Sequence, residues 1–599
     1  MRKRIPLAVL PALAGILLSF GAFSGTAAAQ DWSPFDPFSN PARGQAKRQA
    51  PQGPAPAQER APQGYGNDDV VQPLGNSAGT AVERGDLAPV MATDGSGLPY
   101  ELWRGLDVGT LERLVSEIEM PPRSPTLHKL WLRLITSNVT PPEGGVTDQQ
   151  FLALRLEILY RSGLLEEAER ILATMPGTDP TVAILAARNE IALGKQDKGC
   201  ETMKAGGSAP ASLPKPVKTD AALISGFCAA VAGDAPGAGL AAELAREAGI
   251  KEGPGLDALD ALAMGGKPQV SPGQSISLID YRLIEAAGGA GEISLVLKQA
   301  APSLLAAMTI DAQAAAGDRL AAAEAAAQVN AISAEQLADI YRAQPATGAP
   351  LSDAGGTDTP QRRAALFVAA EHEGTPQKKV RLIRAFLDES HRAGFYLTAL
   401  RMAAPASDTI VAAPEIGWYA ETGIEVALAA GSYRKAREWA AFGSASPTGA
   451  SLGHWLALID IAEGATSNRE DDLRHVEDLA VRGRLDATLM HRLATVLDAL
   501  EYNVPIPLWE AASRTPQPAG GFLPATGVLT ELQDAAKKRE FGRTVLLAMQ
   551  TLGPNGAEGA HMIALGDSIR ALRRAGLETD ARGLGFEALF ASWPRAISN

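Results

Sequence analysis

Cysteine and histidine are scarce in this sequence, and alternating runs of β-branched residues are nearly absent. Only two cysteines, Cys200 and Cys228, and seven histidines occur among 599 residues. No two histidines have the spacing of a helical metal-binding motif, and neither cysteine has a histidine or another cysteine at ligand spacing. The sequence therefore predicts no metal and no cofactor. Because strand signals are missing, it also argues against the usual α/β ligand-binding folds.

Recognisable catalytic motifs are missing as well. Residues 75–79 fit the nucleophile elbow of hydrolases, but no strand precedes them. Residues 265–267 lack the leading glycine of a phosphate-binding loop. The Glu389-Ser390 pair is the one match in an ordered segment to the catalytic Glu-Ser context of certain lytic transglycosylases, and its surroundings are not glycine-rich. The sequence favours a non-enzymatic protein. The alternative is an envelope enzyme that acts on peptidoglycan or glycan through unidentified carboxylates.

The N-terminus has the three parts of a secretory signal peptide. Basic residues at positions 2–4 precede an apolar stretch at 5–23, and alanines at 27–29 form a small-residue cleavage site. We expect cleavage after Ala29. No other run reaches the ~18 apolar residues of a bilayer span, so no stable membrane insertion is expected afterwards. The alanine-rich, lysine-poor composition favours a Gram-negative bacterium and therefore the periplasm.

The charge of the chain is acidic and evenly distributed. The formal net charge is −13, and removal of the three basic signal residues makes it −16. An acidic surface argues against nucleic acid and anionic lipid as partners, since both are polyanions. The same charge keeps a long chain soluble.

Residues 30–98 are rich in proline, glutamine, alanine and glycine, and they predict a disordered tether. Within this segment Trp32, Phe35 and Phe38 concentrate three aromatic rings at three-residue intervals. Such a cluster is a candidate docking peptide, because aromatic side chains contribute much binding energy per residue. The alternatives are that it reflects signal-proximal sequence or packs against its own domain.

Helical periodicity dominates the rest of the chain. It predicts a helical-repeat block at 99–345, a linker or long loop rich in glycine, proline and aspartate at 346–360, and a second helical-repeat block at 361–599. In the first block, a hairpin is predicted with a turn at Gly163 and a stop at Pro180. Its apolar positions are Leu152, Leu156 and Leu159 on the first helix and Leu165, Ala168, Leu172 and Met175 on the second.

Similar hairpin patterns recur along the chain. The second-best copy turns at Gly431 and places Ala436 five residues later; weaker copies centre on Gly194, Gly233, Gly317, Gly394 and Gly576. Spacings of 31 (163 to 194), 39 (194 to 233) and 37 (394 to 431) residues are in the range of helical repeats.

This layout resembles the tetratricopeptide repeat. The family's turn glycine, bulky residue, crossing alanine and closing proline match Gly163, Leu165, Ala168 and Pro180, whereas Leu152 and Leu156 depart from the family pattern. The resemblance implies an all-α fold, a right-handed superhelix of antiparallel helix pairs. It also implies a scaffold that docks other proteins, here other periplasmic or envelope proteins in processes such as cell-wall growth, division or export.

The two cysteines fall on neighbouring predicted hairpins. Cys200 lies on the second helix of the hairpin that turns at Gly194, and Cys228 on the first helix of the next one. These two helices should pack side by side, and the expected compartment is oxidising. We therefore predict a disulfide between Cys200 and Cys228. Two free buried thiols, or a metal pair, are the alternatives.

Overall fold

The computed structural model describes residues 102–595 of one unit, Thr80–Asn599. Short stretches within this range lie outside the description: 138–141, 143–147, 175–178, 207–212, 214, 269–275, 290–296, 298–299, 346–357, 446–451 and 465–468. The predicted signal peptide, the predicted tether and its aromatic residues Trp32, Phe35 and Phe38 also lie outside the described residues.

The fold is all-α, as predicted. The described residues form 27 α-helices and one 3-10 segment, and they contain no β-strand. Before the predicted linker the helices are α1 Val108–Glu117, α2 Pro125–Thr136, α3 Asp148–Arg161, α4 Leu165–Thr174, α5 Pro180–Ala192, α6 Gln196–Ala205, α7 Lys215–Val231, α8 Ala235–Ala248, α9 Pro254–Ala263, α10 Leu278–Ala286, α11 Pro302–Thr309, α12 Ala316–Gln328 and α13 Ala334–Arg342. After it they are α14 Pro360–His372, α15 Pro376–Arg392, α16 Tyr396–Asp408, the 3-10 segment Pro414–Tyr419, α17 Ala420–Ala429, α18 Tyr433–Ala445, α19 Trp455–Glu463, α20 Arg469–Val481, α21 Ala487–Ala499, α22 Ile506–Ser513, α23 Thr526–Lys537, α24 Phe541–Leu552, α25 Gly556–Gly559, α26 Met562–Arg574 and α27 Glu578–Phe590.

Four of the described helices, α2, α5, α8 and α14, begin with a capping side chain and a proline in the first turn. At the start of α2 the Ser124 hydroxyl accepts a hydrogen bond from the Leu127 amide, and Pro125 occupies the first turn. The prediction that Pro180 ends the second helix of the hairpin is wrong. Pro180 is the first residue of α5, and Asp179 caps that helix, because proline fits a helical first turn where no amide hydrogen is needed.

Many helices end in the same tight turn. Six of the seven predicted turn glycines have φ angles between 69° and 90°, a region that favours glycine. At Gly431, for example, the glycine amide donates to the Leu428 carbonyl and the Ser432 amide to the Ala427 carbonyl. This pair of bonds satisfies carbonyls left open at the helix end. The six glycines are Gly163, Gly194, Gly233, Gly394, Gly431 and Gly576.

Gly317, the seventh predicted turn glycine, was assigned wrongly. It lies within α12, and the tight turn nearby follows that helix at Asn330, which has a φ of 57°. Asparagine adopts this conformation more readily than most residues, because its short polar side chain bonds locally. A search for glycine alone therefore misses this turn.

A small residue stands five positions after each of the six turn glycines. The position holds alanine five times and glycine once, and all six residues are buried: Ala168, Gly199, Ala238, Ala399, Ala436 and Ala581. The absence of a large side chain lets the two helices of a hairpin approach closely. This was the role expected of Ala168 and Ala436.

Helices on both sides of the predicted linker pack together. Helix α13 contacts α14 and α16, and α12 contacts α14. Pro360, the last residue of the predicted linker, begins α14, and Thr359 caps that helix. Residues 346–357 of the predicted linker lie outside the description.

One apolar cluster runs through the described residues from Leu102 to Trp593. Leu102 and Leu106 are buried in the turn before α1. Among the described helices, none has both the length and the apolar composition needed to cross a bilayer.

Candidate functional site

The first described helices pack against the last ones. Helix α1 contacts α24, and α2 contacts both α24 and α27. The Gly542 amide donates to the Leu102 carbonyl at 3.0 Å, and the Gln550 side-chain amide donates to Glu117 at 2.6 Å. The two ends of the described helix array therefore form a joint, which we call the end joint.

Glu587 of α27 completes the N-terminal cap of α2 across the end joint. One carboxylate oxygen accepts from the Thr126 amide at 2.7 Å, and the other accepts from the Ser124 hydroxyl. A carboxylate at a helix N-terminus meets open amides and the positive end of the helix dipole. Burial nevertheless raises the pKa of Glu587, and its hydrogen bonds to Ser124 and Thr126 oppose that shift.

Glycines make the close approach at the end joint possible. A Cβ on Gly542 would lie 2.4 Å from the Leu102 carbonyl oxygen, and a Cβ on Gly583 would lie 2.5 Å from the Thr126 hydroxyl. A Cβ on Gly556 would lie 2.7 Å from the Ser124 Cβ. No larger residue fits at these places without movement of a neighbour.

A large cavity lies beside the end joint. Its volume is about 1790 Å³. Its walls come from stretches that are far apart in sequence: 119–125, 297, 300–305, 318–330, 384–398, 421–425, 555–559 and 587–595. Because 119–125 and 555–595 meet at the end joint, the cavity depends on that contact.

Carboxylates outnumber cations on the described cavity wall. The lining includes seven carboxylates, three arginines and no lysine, a formal excess of four negative charges. The carboxylates are Glu119, Asp318, Asp388, Glu421, Glu425, Glu558 and Glu587, and the arginines are Arg123, Arg384 and Arg595. Each arginine already pairs with a wall carboxylate: Arg123 with Glu119 at 2.9 Å, Arg384 with Asp388 at 2.9 Å and Arg595 with Glu425 at 2.8 Å.

Helix α17 contributes two buried glutamates to this wall. Glu425 accepts from the Tyr396 hydroxyl at 2.8 Å and from Arg595 at 2.8 and 3.0 Å. Glu421 accepts from the indole of Trp455 at 3.0 Å. Burial raises the pKa of Glu425, and the Arg595 guanidinium opposes this. These bonds tie α17 to the segment after α27 and hold the wall in place.

The Glu-Ser pair weighed as a transglycosylase motif lies in the interior. Glu389 is buried on α15 and pairs with Arg362 at 2.6 Å. The Ser390 hydroxyl is fully buried and donates to the Phe386 carbonyl of its own helix. Neither side chain lines the cavity.

The predicted disulfide is confirmed. Cys200 on α6 and Cys228 on α7 are bonded, with their Cα atoms 5.6 Å apart. The bond joins the second helix of one hairpin to the first helix of the next, as the positions of Gly194 and Gly233 indicated. Within the described stretches, no group of three or more histidine, cysteine or acidic side chains is placed to hold a metal ion.

Sequence reasoning missed the cavity and its wall residues. One local signal was available for part of it: Glu421 and Glu425 are four residues apart on a helix whose other residues are mainly apolar or small. Two such glutamates predict buried carboxylates with specific partners. Nothing local indicates that Arg595, 170 residues away, is that partner.

Comparison with known proteins identified no relative. No protein family matches the chain, and no curated protein and no solved structure is detectably similar to it.

Proposed function

We propose that this chain is a non-enzymatic scaffold, a tetratricopeptide-like α-solenoid that binds other proteins of the bacterial envelope in the periplasm. The right-handed superhelix of antiparallel helix pairs is part of this proposal. Its support is the succession of hairpins with the same glycine-capped turn and the same buried small residue. A disulfide between neighbouring hairpins agrees with an oxidising compartment.

The cavity is the observation that carries this proposal. At about 1790 Å³ it exceeds the 300–1,000 Å³ typical of small-molecule pockets. Its wall combines apolar residues such as Leu397 and Phe590 with charged groups from several helices. This composition suits a segment of a partner protein better than a single compact metabolite.

An envelope enzyme acting on peptidoglycan or glycan is the second candidate. The observation that favours it is a pair of glutamates on the cavity wall, Glu421 and Glu425. Burial raises the pKa of Glu425, and a glutamate with a raised pKa can act as a general acid. Against it, Arg595 and Tyr396 already occupy both oxygens of Glu425. A general acid must have an oxygen available to the substrate.

Site-specific crosslinking in cells tests the scaffold. A photoreactive residue is placed at the cavity positions Thr398 or Asn555, and at the control positions Met264 or Val411, which are 81% and 80% exposed and do not line the cavity. We expect the same envelope protein to be captured from both cavity positions and from neither control. Equal capture from all four positions would argue against a cavity-binding scaffold.

Incubation of the purified protein with peptidoglycan tests the enzyme. The scaffold proposal expects no cleavage products by mass spectrometry. Cleavage that disappears in Glu425→Gln would establish the enzyme and overturn the scaffold.

A further inference from the structure

The ion pairs among the described wall residues do not include every wall carboxylate. All three wall arginines are paired, yet seven carboxylates line the cavity. Asp318 is half-buried in the first turn of α12, and Glu558 is exposed on α25. Neither forms an ion pair within 4 Å in the described part of the chain, although Glu558 interacts electrostatically with Arg492. The two lie about 240 residues apart in sequence and reach the same cavity from different elements.

On the basis of the scaffold function proposed above, we propose that the cavity binds an extended, cationic polypeptide segment of the partner, one that presents lysine or arginine side chains. Opposite charges would meet at Asp318 on α12 and at Glu558 on α25. A segment several residues long can reach both positions at once. Among the described residues, no group of three or more histidine, cysteine or acidic side chains is placed to hold a metal ion.

The uncharged part of the wall fits the same occupant. Val329 and Leu397 offer apolar surface for the long methylene stems of lysine and arginine. Tyr396 and Phe590 bring aromatic rings to the same wall, and such rings attract cations. Phe590 already lies 5.3 Å from the guanidinium of Arg595.

Binding of a defined peptide to the mature protein tests the proposal. The probe is a fluorescein-labelled peptide of four Ser-Lys-Gly repeats, and the comparison is the same peptide with glutamate in place of lysine. We expect the lysine peptide to bind and the glutamate peptide not to bind, by fluorescence anisotropy. Asp318→Asn and Glu558→Gln should each weaken binding about 2- to 5-fold, because each removes one partly exposed ion pair.

Matched variants separate the cavity from general attraction to an acidic protein. Asp257→Asn changes an exposed aspartate in the first turn of α9, and Glu415→Gln changes an exposed glutamate; neither residue lines the cavity. We expect no change in affinity for either. Equal weakening by the control and cavity variants would overturn the proposal, since it would show binding to the surface as a whole.

Two further outcomes are decisive. Binding of spermidine with the same dependence on Asp318 and Glu558, but no binding of the peptide, would overturn the proposal in favour of a small polyamine. In the second outcome, a partner is crosslinked in cells from the cavity positions while the protein shows no preference for the lysine peptide. That result would support the scaffold proposal and overturn the proposal that the cavity binds a cationic segment.

Discussion

A turn glycine can be replaced to measure the free-energy cost of a left-handed backbone conformation separately from the cost of a steric clash of the new Cβ. Gly431 has a φ of 72°, and a Cβ built on it meets no atom within 4 Å. Gly431→Ala should lower local stability by about 1 kcal/mol, because a left-handed conformation is strained for a residue with a Cβ. Hydrogen exchange of α17 and α18 measures this local free energy.

Gly527 provides the matched control for this substitution. It lies in the first turn of α23, and a Cβ built on it also meets no atom within 4 Å, but its φ is not positive. Gly527→Ala should leave stability unchanged or raise it slightly. If both alanines destabilise their helices equally, the backbone conformation of Gly431 is not the cause.

Asp580 makes stability depend on pH. It is buried at the start of α27, and burial raises its pKa to about 6, although Arg133 and Lys129 of α2 oppose the shift. The folded state therefore binds this proton more tightly than the unfolded state, whose pKa is near 3.8. Between these values the contribution of Asp580 to stability falls as pH rises, and above about pH 6 the loss is complete.

Asp580→Asn removes this titration. The difference between the unfolding free energies of the variant and the wild type should change by about 1 kcal/mol from pH 5 to pH 7.5. The change favours the variant at the higher pH. Urea unfolding at the two pH values measures the difference. A constant difference across this range would show that Asp580 titrates normally in the folded protein.

Individual helices were largely predictable because their signals are local. Helical spacing, capping residues and the turn glycines all act within a few residues of the helix they define. The errors have local causes too. A proline can follow the end of one helix or begin the next helix. Pro180 begins α5, because Asp179 caps that helix. Turns at Glu501 and Arg539, with φ of 61° and 55°, carry no glycine to mark them.

The disulfide connects two elements, and its removal should loosen both. Cys200 and Cys228 enclose a separation of 28 residues, for which loop closure predicts about 3 kcal/mol of stabilisation. In Cys200→Ser with Cys228→Ser we expect faster hydrogen exchange in α6 and α7. Exchange in α20 to α22 should stay unchanged, since among the described residues these helices share no extensive packing interface with α6 or α7.

Intact-mass measurement after alkylation under denaturing conditions tests the bond itself. The wild-type protein should take up no alkyl group before reduction and two after it. Two alkylated thiols in the unreduced protein would contradict the bond in the cell.

At the scale of the molecule, sequence reasoning failed where residues far apart in the chain meet. Glu587 and Thr126 are separated by 461 residues, and neither shows a sign of the other in its own neighbourhood. The glycines of the end joint are equally uninformative. Gly583 lies within α27, where a glycine usually weakens a helix, and only the Thr126 hydroxyl opposite explains it. The cavity was missed for the same reason.

The end joint makes a prediction that a purely neighbour-to-neighbour array does not. Glu587→Ala removes the acceptor of the Thr126 amide and of the Ser124 hydroxyl, which should cost about 2 kcal/mol for a charge-assisted cap. Hydrogen exchange should accelerate in α27 and, equally, in α2. In a repeat array whose units contact only their sequence neighbours, the effect would stay near α27.

Glu438→Ala serves as the control for this substitution. Glu438 forms an exposed ion pair with Arg434 on α18, and loss of such a pair costs little. Its exchange pattern should match the wild type. Binding of the lysine peptide should also fall in Glu587→Ala, because the cavity walls at 119–125 and 587–595 are held together by this joint. Faster exchange in α27 alone, with α2 unchanged, would mean that the two ends of the array are independent.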